Sequence, residues 1–517
     1  MQHRDMFGEI RSRLHHPSPS NWQIITQWVR KWPDARERDE VILPYCTARL
    51  RAWPDRLRVA EDAWFERFAS GEDDRETWRA LYSLARRLSL GHDTIALRQW
   101  RDLVNLDCWS ELRSLSLRSL KFGGARGMES LIESGMLAQV SHFALHDIEL
   151  DAGSFDALLE HFEDMPRLRS LEFERARLTN RLLDMLLKTD SARRLRALSL
   201  RDNNLDAQSC QIIQQAPPLP ELERLFLGAH VDSPYFTSRH NYYNHFGKRG
   251  FELLTRNHTF PALRGLELAY HKLTVSELSA LTTETFPRLR MLDVRNNNLR
   301  GEELADFFQT PLAMQLTHID LSNNAITDDT LGVLVSSRRK KPLRALLLNN
   351  VRPGIEGMRH LARSSELEHL ERLELAENNL NTELLLCFDQ EDRFPALRRL
   401  SIAGNKPPDH VAAAIIKSAT AQHLEELDLR TIHIGAHSRE ALLMPNILPS
   451  LELLRLSPPN GKYTPEVYLA GTRLHEVIRY DYYSSDPTHQ DLFSPLYADL
   501  TRSVDGDEEN NPDQEPR

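Results

Sequence analysis

Cysteine is scarce in this sequence. Four residues, Cys46, Cys108, Cys210 and Cys387, are spread over 517 positions with no C-x-x-C pair among them, which excludes a zinc ribbon and a disulfide framework. A reducing, cytoplasmic setting is the expectation that follows. Long apolar runs are missing too: nothing approaches the roughly 18 consecutive apolar residues that a membrane-spanning helix needs. The first residues, MQHRDMFGEIRSRLHHPSPS, carry no apolar core of the kind a signal peptide requires. There is no excess of basic charge either. The net charge is −10 and the pI near 6.1, so no general affinity for nucleic acid or for an anionic membrane is expected. The sequence also contains no P-loop, no G-x-S-x-G and no H-E-x-x-H, so the nucleotide-binding, hydrolase and metalloprotease chemistries those motifs carry find no support. No catalytic activity, no cofactor and no metal are expected.

What is present is a repeat. LxxLxLxxNxL is written at Leu289, Leu292, Val294, Asn297 and Leu299 and again at Leu316, Ile319, Leu321, Asn324 and Ile326, 27 residues on. The first position recurs at Leu112, Val140, Leu168, Leu195, Leu222, Leu263, Leu289, Leu316, Leu343, Leu370, Leu397, Leu424 and Leu451, thirteen clear units. A degenerate unit at Ala85, Leu88 and Leu90 precedes them with the same spacing. A period of this kind implies stacked units that bury their apolar faces against one another.

Within each unit the fourth and sixth positions, Leu373 and Leu375 for example, alternate as on a short strand. An asparagine where the strand ends (Asn203, Asn297, Asn324, Asn378, Asn405) can bond backbone groups that the turn leaves unpaired. Then comes an N-cap residue such as Asp151, Thr179, Asp206, Thr274, Thr327 or Asn381. A helix with apolar columns follows (Leu183/Leu186, Leu278/Leu281, Leu331/Leu334, Met358/Leu361). The expected fold class is therefore α/β: a leucine-rich repeat solenoid, a horseshoe with parallel strands on the concave face and helices on the convex face, preceded by an α-helical domain.

Residues 1–84 read as that helical domain or cap. All eight tryptophans precede residue 110, WPD occurs at 32–34 and 53–55, and the apolar spacing of Trp22, Ile25, Trp28 and Val29 makes these aromatics core. The solenoid spans 85–460, with an insertion near 228–250 in the one 41-residue unit. A tyrosine-rich C-terminal cap covers 461–502, and 503–517, with Asp505, Asp507, Glu508 and Glu509, reads as a disordered acidic tail. Cys210 falls in a helix column and is expected to be a small core residue.

LTHIDLSNNAITDDTLGVLV, with its 27 to 28 residue period and full helix, resembles the ribonuclease-inhibitor-like class of leucine-rich repeats over about residues 85–460. The resemblance implies the horseshoe and a binding role. That class includes nuclease inhibitors, activators of small GTPases and innate-immunity sensors. This chain has neither the cysteine content nor the strictly alternating repeat lengths of ribonuclease inhibitor itself.

Candidate contact residues come from two places. The fifth residue of each unit lies at the centre of the concave face, and six of the thirteen are acidic: Glu172, Glu267, Asp293, Asp320, Glu374 and Asp428. On adjacent parallel strands, about 5 Å apart, two such charges repel by roughly 0.8 kcal/mol in water and about 3 kcal/mol at an effective dielectric of 20. A stabilising role is thus not expected, and a protein partner with a basic patch would relieve the repulsion. Against that stands neutralisation by Arg295, His318, Arg372 and Arg430 on the same face. The second place is the insertion, GAHVDSPYFTSRHNYYNHFGKR, whose Tyr235, Phe236, Tyr242 and Tyr243 suit either a contact site or a loop folded back on the solenoid. The functional expectation is a non-catalytic intracellular protein-binding scaffold, the alternative a regulator, activator or inhibitor, of a partner enzyme such as a small GTPase. Neither nucleic acid nor membrane is expected as a partner.

Overall fold

The computed structural model describes residues 3–479 apart from 61, 92–94, 120–124, 149–150, 230–242, 257–258, 389–391, 443, 445 and 457–475. The described chain divides into two compact units: one holds residues 3–205 with Gln215–Leu222, the other Asp206–Gln214 with residues 223–479.

The first unit opens with helices. Pro19–Arg30 buries Trp22, Ile25 and Val29, and Arg75–Leu84 buries Trp78 and Leu81 against them. Seven of the eight tryptophans of the chain are buried, and all eight lie in this unit. The helices run directly into a parallel sheet, β1 (Val59–Ala60), β2 (Arg87–Leu90), β3 (Ser114–Arg118), β4 (His142–His146), β5 (Ser170–Glu174) and β6 (Ala197–Ser199), each strand paired with the next. The join is a fully buried guanidinium: Arg58 donates to the carbonyls of Leu84 (2.6 and 2.9 Å) and Leu50 (3.3 Å).

The second unit continues the same construction with β7 (Arg224–Phe226), β8 (Gly265–Glu267), β9 (Met291–Asp293), β10 (His318–Asp320), β11 (Ala345–Leu347), β12 (Arg372–Glu374), β13 (Arg399–Ser401), β14 (Glu426–Asp428), β15 (Leu453–Leu456) and β16 (Glu476–Arg479), all parallel and in register. Each unit is an α/β leucine-rich repeat solenoid. β16 extends the sheet beyond Leu456, where the leucine pattern stops. Strand pairing runs through backbone groups and needs no particular side chain.

Repeat register is held by asparagine. Asn324 Oδ1 accepts from the amides of Asn297 and Leu299 (both 3.2 Å), one repeat earlier, while its Nδ2 donates to the carbonyls of Val294 and Leu321 (both 3.0 Å). Asn203, Asn297, Asn378 and Asn405 make the same kind of link to the preceding repeat. The residue before this position forms a left-handed column: Asp147, Arg175 and Asp202 in the first unit, and Tyr270, Asn296, Asn323, Asn350, Glu377, Gly404 and Thr431 in the second. Asparagine and aspartate tolerate that conformation because their short side chains bond locally. In the first unit Arg175 lies between Asp147 and Asp202 (Nη2 to Oδ2 2.7 Å and Nη1 to Oδ2 3.4 Å), and in the second Asn350 donates to Asn323 (2.8 Å).

Thr179 and Thr327 cap their helices through the side chain, and Asp151 does so at 2.7 Å from the Ser154 amide. Asn381 differs: its side chain makes no cap bond, and a single 3-10 turn, Thr382–Leu384, follows it. The helix columns Leu183/Leu186, Leu278/Leu281, Leu331/Leu334 and Met358/Leu361 are all buried against the strand leucines. Cys210 is among the core residues, and the four cysteines are free, buried thiols. Among the described residues no helix is long and apolar enough to cross a membrane.

Candidate functional site

Because strand side chains alternate, the third, fifth and seventh residues of each repeat share the face opposite the leucines. That face is where every candidate acid lies, and the two units treat it differently.

In the second unit Glu267, Asp293 and Asp320 are register neighbours on β8, β9 and β10. They are not solvent-facing. Their exposures are 0%, 0% and 1%, so the expected contact row for a basic partner is enclosed by the residues around it. The reason is local bonding that the repeat pattern did not reveal. Asp293 Oδ1 accepts from the Arg295 amide (3.1 Å), Asp320 Oδ1 from the Ser322 amide (2.9 Å) and Asp428 Oδ1 from the Arg430 amide (3.1 Å). Glu267 Oε2 accepts from the Gly228 amide (2.9 Å). The carboxylates therefore satisfy amides where a strand gives way to its turn, a structural bonding role that the repulsion argument did not foresee.

Repulsion is still felt. Burial holds the Asp293 carboxyl well above the ordinary range; Arg295 opposes this, and the neighbouring Asp320 and Glu267 add to it. Burial likewise pushes Asp320 up to about 6, against Arg295 and the Ser322 bonds. Arg295 lies 3.6 Å from Asp293 Oδ2 and 3.9 Å from Asp320 Oδ2, one cation between two acids.

The face opens over β12, β13 and β14. Arg372 donates to Glu374 (2.8 Å), which also accepts from Asn349 (2.7 Å); Arg399 pairs with Glu426 (3.3 Å), and Arg430 with Asp428 (2.8 Å). Arg372, Glu374, Arg399, Glu426 and Arg430 are all partly exposed, Asp428 less so. A second column alternates in sign: Arg344 pairs with Glu371, and Arg398 with Glu425 (3.7 Å). The accessible surface is a mosaic of paired charges, with Glu374 and Asp428 already answered from within the chain.

In the first unit, Glu172 sits in a group that sequence reading did not assemble. His146 Nε2 is 2.9 Å from Glu172 Oε2 and 3.8 Å from Glu174 Oε2. His142 Nε2 is 3.7 Å from the other Glu172 oxygen, and its Nδ1 is 2.9 Å from Ser170 Oγ. Ser199 donates to Glu174 (2.6 Å) and Arg201 lies 3.5 Å from it. Burial lowers the His146 imidazole, but Glu174 and Glu172 outweigh it and the net shift is upward. Burial raises Glu172, and His142 and His146 overcome that to hold it below its ordinary range. His146 and Glu174 are seventh residues of adjacent repeats; scanning that column as the fifth was scanned would have shown them.

The insertion is described from Tyr243 on, and Tyr235, Phe236 and Tyr242 lie outside the described residues. Its C-terminal end is packed down. Tyr243 stacks on Tyr270 (centroids 6.0 Å apart, 6° between planes), and Asn244 donates to the Leu227 carbonyl (2.6 Å). Buried Phe246 stacks on His271 at 4.4 Å, and burial lowers the His271 imidazole to about 3, so its neutral ring bonds the Leu227 carbonyl.

No protein-family model matches the chain, and no curated protein does. Among solved structures, it is similar to a chain of the Rad7–Elc1 complex of yeast, with 15% identity, coverage of 87% of this chain and 96% of that one, and a TM-score of 0.40. It is also similar to an internalin of Listeria monocytogenes, with 15% identity, coverage of 84% and 98%, and a TM-score of 0.32.

Proposed function

We propose that this chain is a non-catalytic protein-binding scaffold of the ribonuclease-inhibitor-like class of leucine-rich repeats, and that its partner docks on the strand face from β12 to β14. The observation that carries the reading is the change in exposure along the second unit. Asp293 and Asp320 are committed to amides of their own turns and Glu267 to the Gly228 amide of the preceding repeat, whereas Arg372, Glu374, Arg399, Glu426 and Arg430 are partly exposed on strands or just past them. A rigid array of charges costs little ordering entropy on binding and confers specificity by complementarity. The partner is a protein whose basic groups meet Glu374 and Glu426 and whose acidic groups meet Arg372 and Arg399. Tyr235, Phe236, Tyr242 and Tyr243 supply a separate apolar contact in this reading. Neither nucleic acid nor a membrane is proposed as a partner. Regulation of a partner enzyme, a small GTPase for instance, is compatible with docking on this face but has no residue of its own to support it.

The test exchanges the Arg399–Glu426 pair. Arg399→Glu with Glu426→Arg keeps the intramolecular bridge and inverts the pattern shown to a partner. Affinity purification with quantitative mass spectrometry, run at low and high salt, is expected to find proteins held by the parent and released by the exchanged variant. An identical set of bound proteins for both chains would end the proposal.

A further inference from the structure

The buried group on β4 and β5 has the composition and spacing of a cation site, and nothing in the scaffold reading requires it. His146, Glu172 and Glu174 each present one ligand atom, and the three atoms lie within 4.8 Å of one another. A first-row dication binds imidazole nitrogen and carboxylate oxygen at about 2.0–2.2 Å, so cis donors are separated by roughly 3.0–3.4 Å. The observed 2.9 and 3.8 Å from His146 Nε2 to the two carboxylates bracket that range. The backbone sets this geometry: parallel pairing places His146 beside Glu174 and Ala144 beside Glu172. Ala144 adds no bulk above the sheet at that point.

The surroundings fit as well. Two carboxylates supply the negative charge a dication needs, and both are buried, Glu174 almost fully at 1%. His142 approaches the free oxygen of Glu172, and Ser199 bonds Glu174, so both carboxylates are oriented from outside the set. The cations facing the group are Arg87, whose charge reaches Glu172, Arg201, and Arg118, whose Nη2 lies 3.5 Å from His146 Nδ1. Arg118 is exposed and able to turn away when Nδ1 takes the proton that metal binding at Nε2 demands.

We propose that His146, Glu172 and Glu174 bind one zinc-like divalent cation, with the remaining coordination positions filled by water. Metal and proton compete for His146 Nε2, so affinity falls as pH is lowered.

Co²⁺ titration of the full chain, followed by its visible absorption, tests this. One equivalent is expected at micromolar or tighter affinity, displaced by Zn²⁺, with His146→Ala or Glu172→Gln weakening it by at least about 100-fold. His161 and Asp164 form an exposed pair elsewhere in the unit, and His161→Ala is expected to leave binding unchanged. A second readout needs no variant: Zn²⁺ loading should shift the ring nuclear magnetic resonance signals of His146 in the wild-type chain while those of exposed His161 stay in place. Absence of a one-equivalent Co²⁺ site, loss of binding on His161→Ala, or unmoved His146 ring signals in the Zn²⁺-loaded protein would each overturn the assignment.

Discussion

A buried acid that bonds a backbone amide presents two faces to stability, and Asp320 separates them. The folded chain keeps its proton up to a pH of about 6. The unfolded chain releases it at about 4. Stability contributed by this group is therefore lost as pH rises through that window. Asp320→Asn removes the titration and keeps an oxygen for the Ser322 amide. The variant should exceed the parent by up to about 3 kcal/mol at pH 7.5 and match it near pH 4, read from urea midpoints at each pH. Equal stability at every pH would show that folding does not raise the Asp320 carboxyl, which would then ionise as readily inside the fold as in the unfolded chain. The ladder asparagines behave oppositely. Asn324→Ala strips partners from two amides and two carbonyls, and should cost about 3 kcal/mol or more with no dependence on pH. Those asparagines were legible because identity and period coincide. The fate of the acids was not, since burial depends on what adjoining repeats place beside them: Met291, Arg295 and Ser322 are one letter each, in no motif.

At the scale of the element, the repeat unit was readable almost whole: strand, turn, cap and helix follow from leucine spacing and a polar residue at the right offset. Asn381 shows the limit, being a cap by position whose side chain makes no cap bond. The left-handed column also escaped notice, because asparagine, aspartate, arginine, tyrosine and glutamate all occupy it and only their backbone is alike. Neighbouring strand ends approach closely at Gly228. A methyl group there would sit 2.6 Å from both the amide nitrogen and the carbonyl oxygen of Ala269, which are backbone atoms and cannot rotate aside. Gly228→Ala should cost about 1–3 kcal/mol in chemical unfolding. Gly8→Ala meets nothing within 4 Å inside its helix. It should be neutral or stabilising by up to about 1 kcal/mol. If the two substitutions prove alike, close strand approach is not what requires glycine at 228.

For the molecule as a whole, the sequence announced thirteen similar units but not their division into two compact bodies, because nothing in the leucine pattern changes near residue 205. The polar face likewise looked uniform on paper. In space it holds an enclosed histidine and glutamate group in the first body, and in the second an enclosed acid trio followed by an accessible charge mosaic. The proposed partner docking belongs to the mosaic, and the proposed cation to the enclosed group of the first body.

The crowding of every indole into the first body makes the chain a protein with an optical label on one half only. Tryptophan emission, excited at the red edge where tyrosine does not absorb, reports the first body and is blind to the strands from β7 onward, whereas far-ultraviolet circular dichroism sums both. A lesion such as Gly228→Ala should then move the dichroism curve while the emission curve stays in place. Emission that moved in step would mean the halves melt as one.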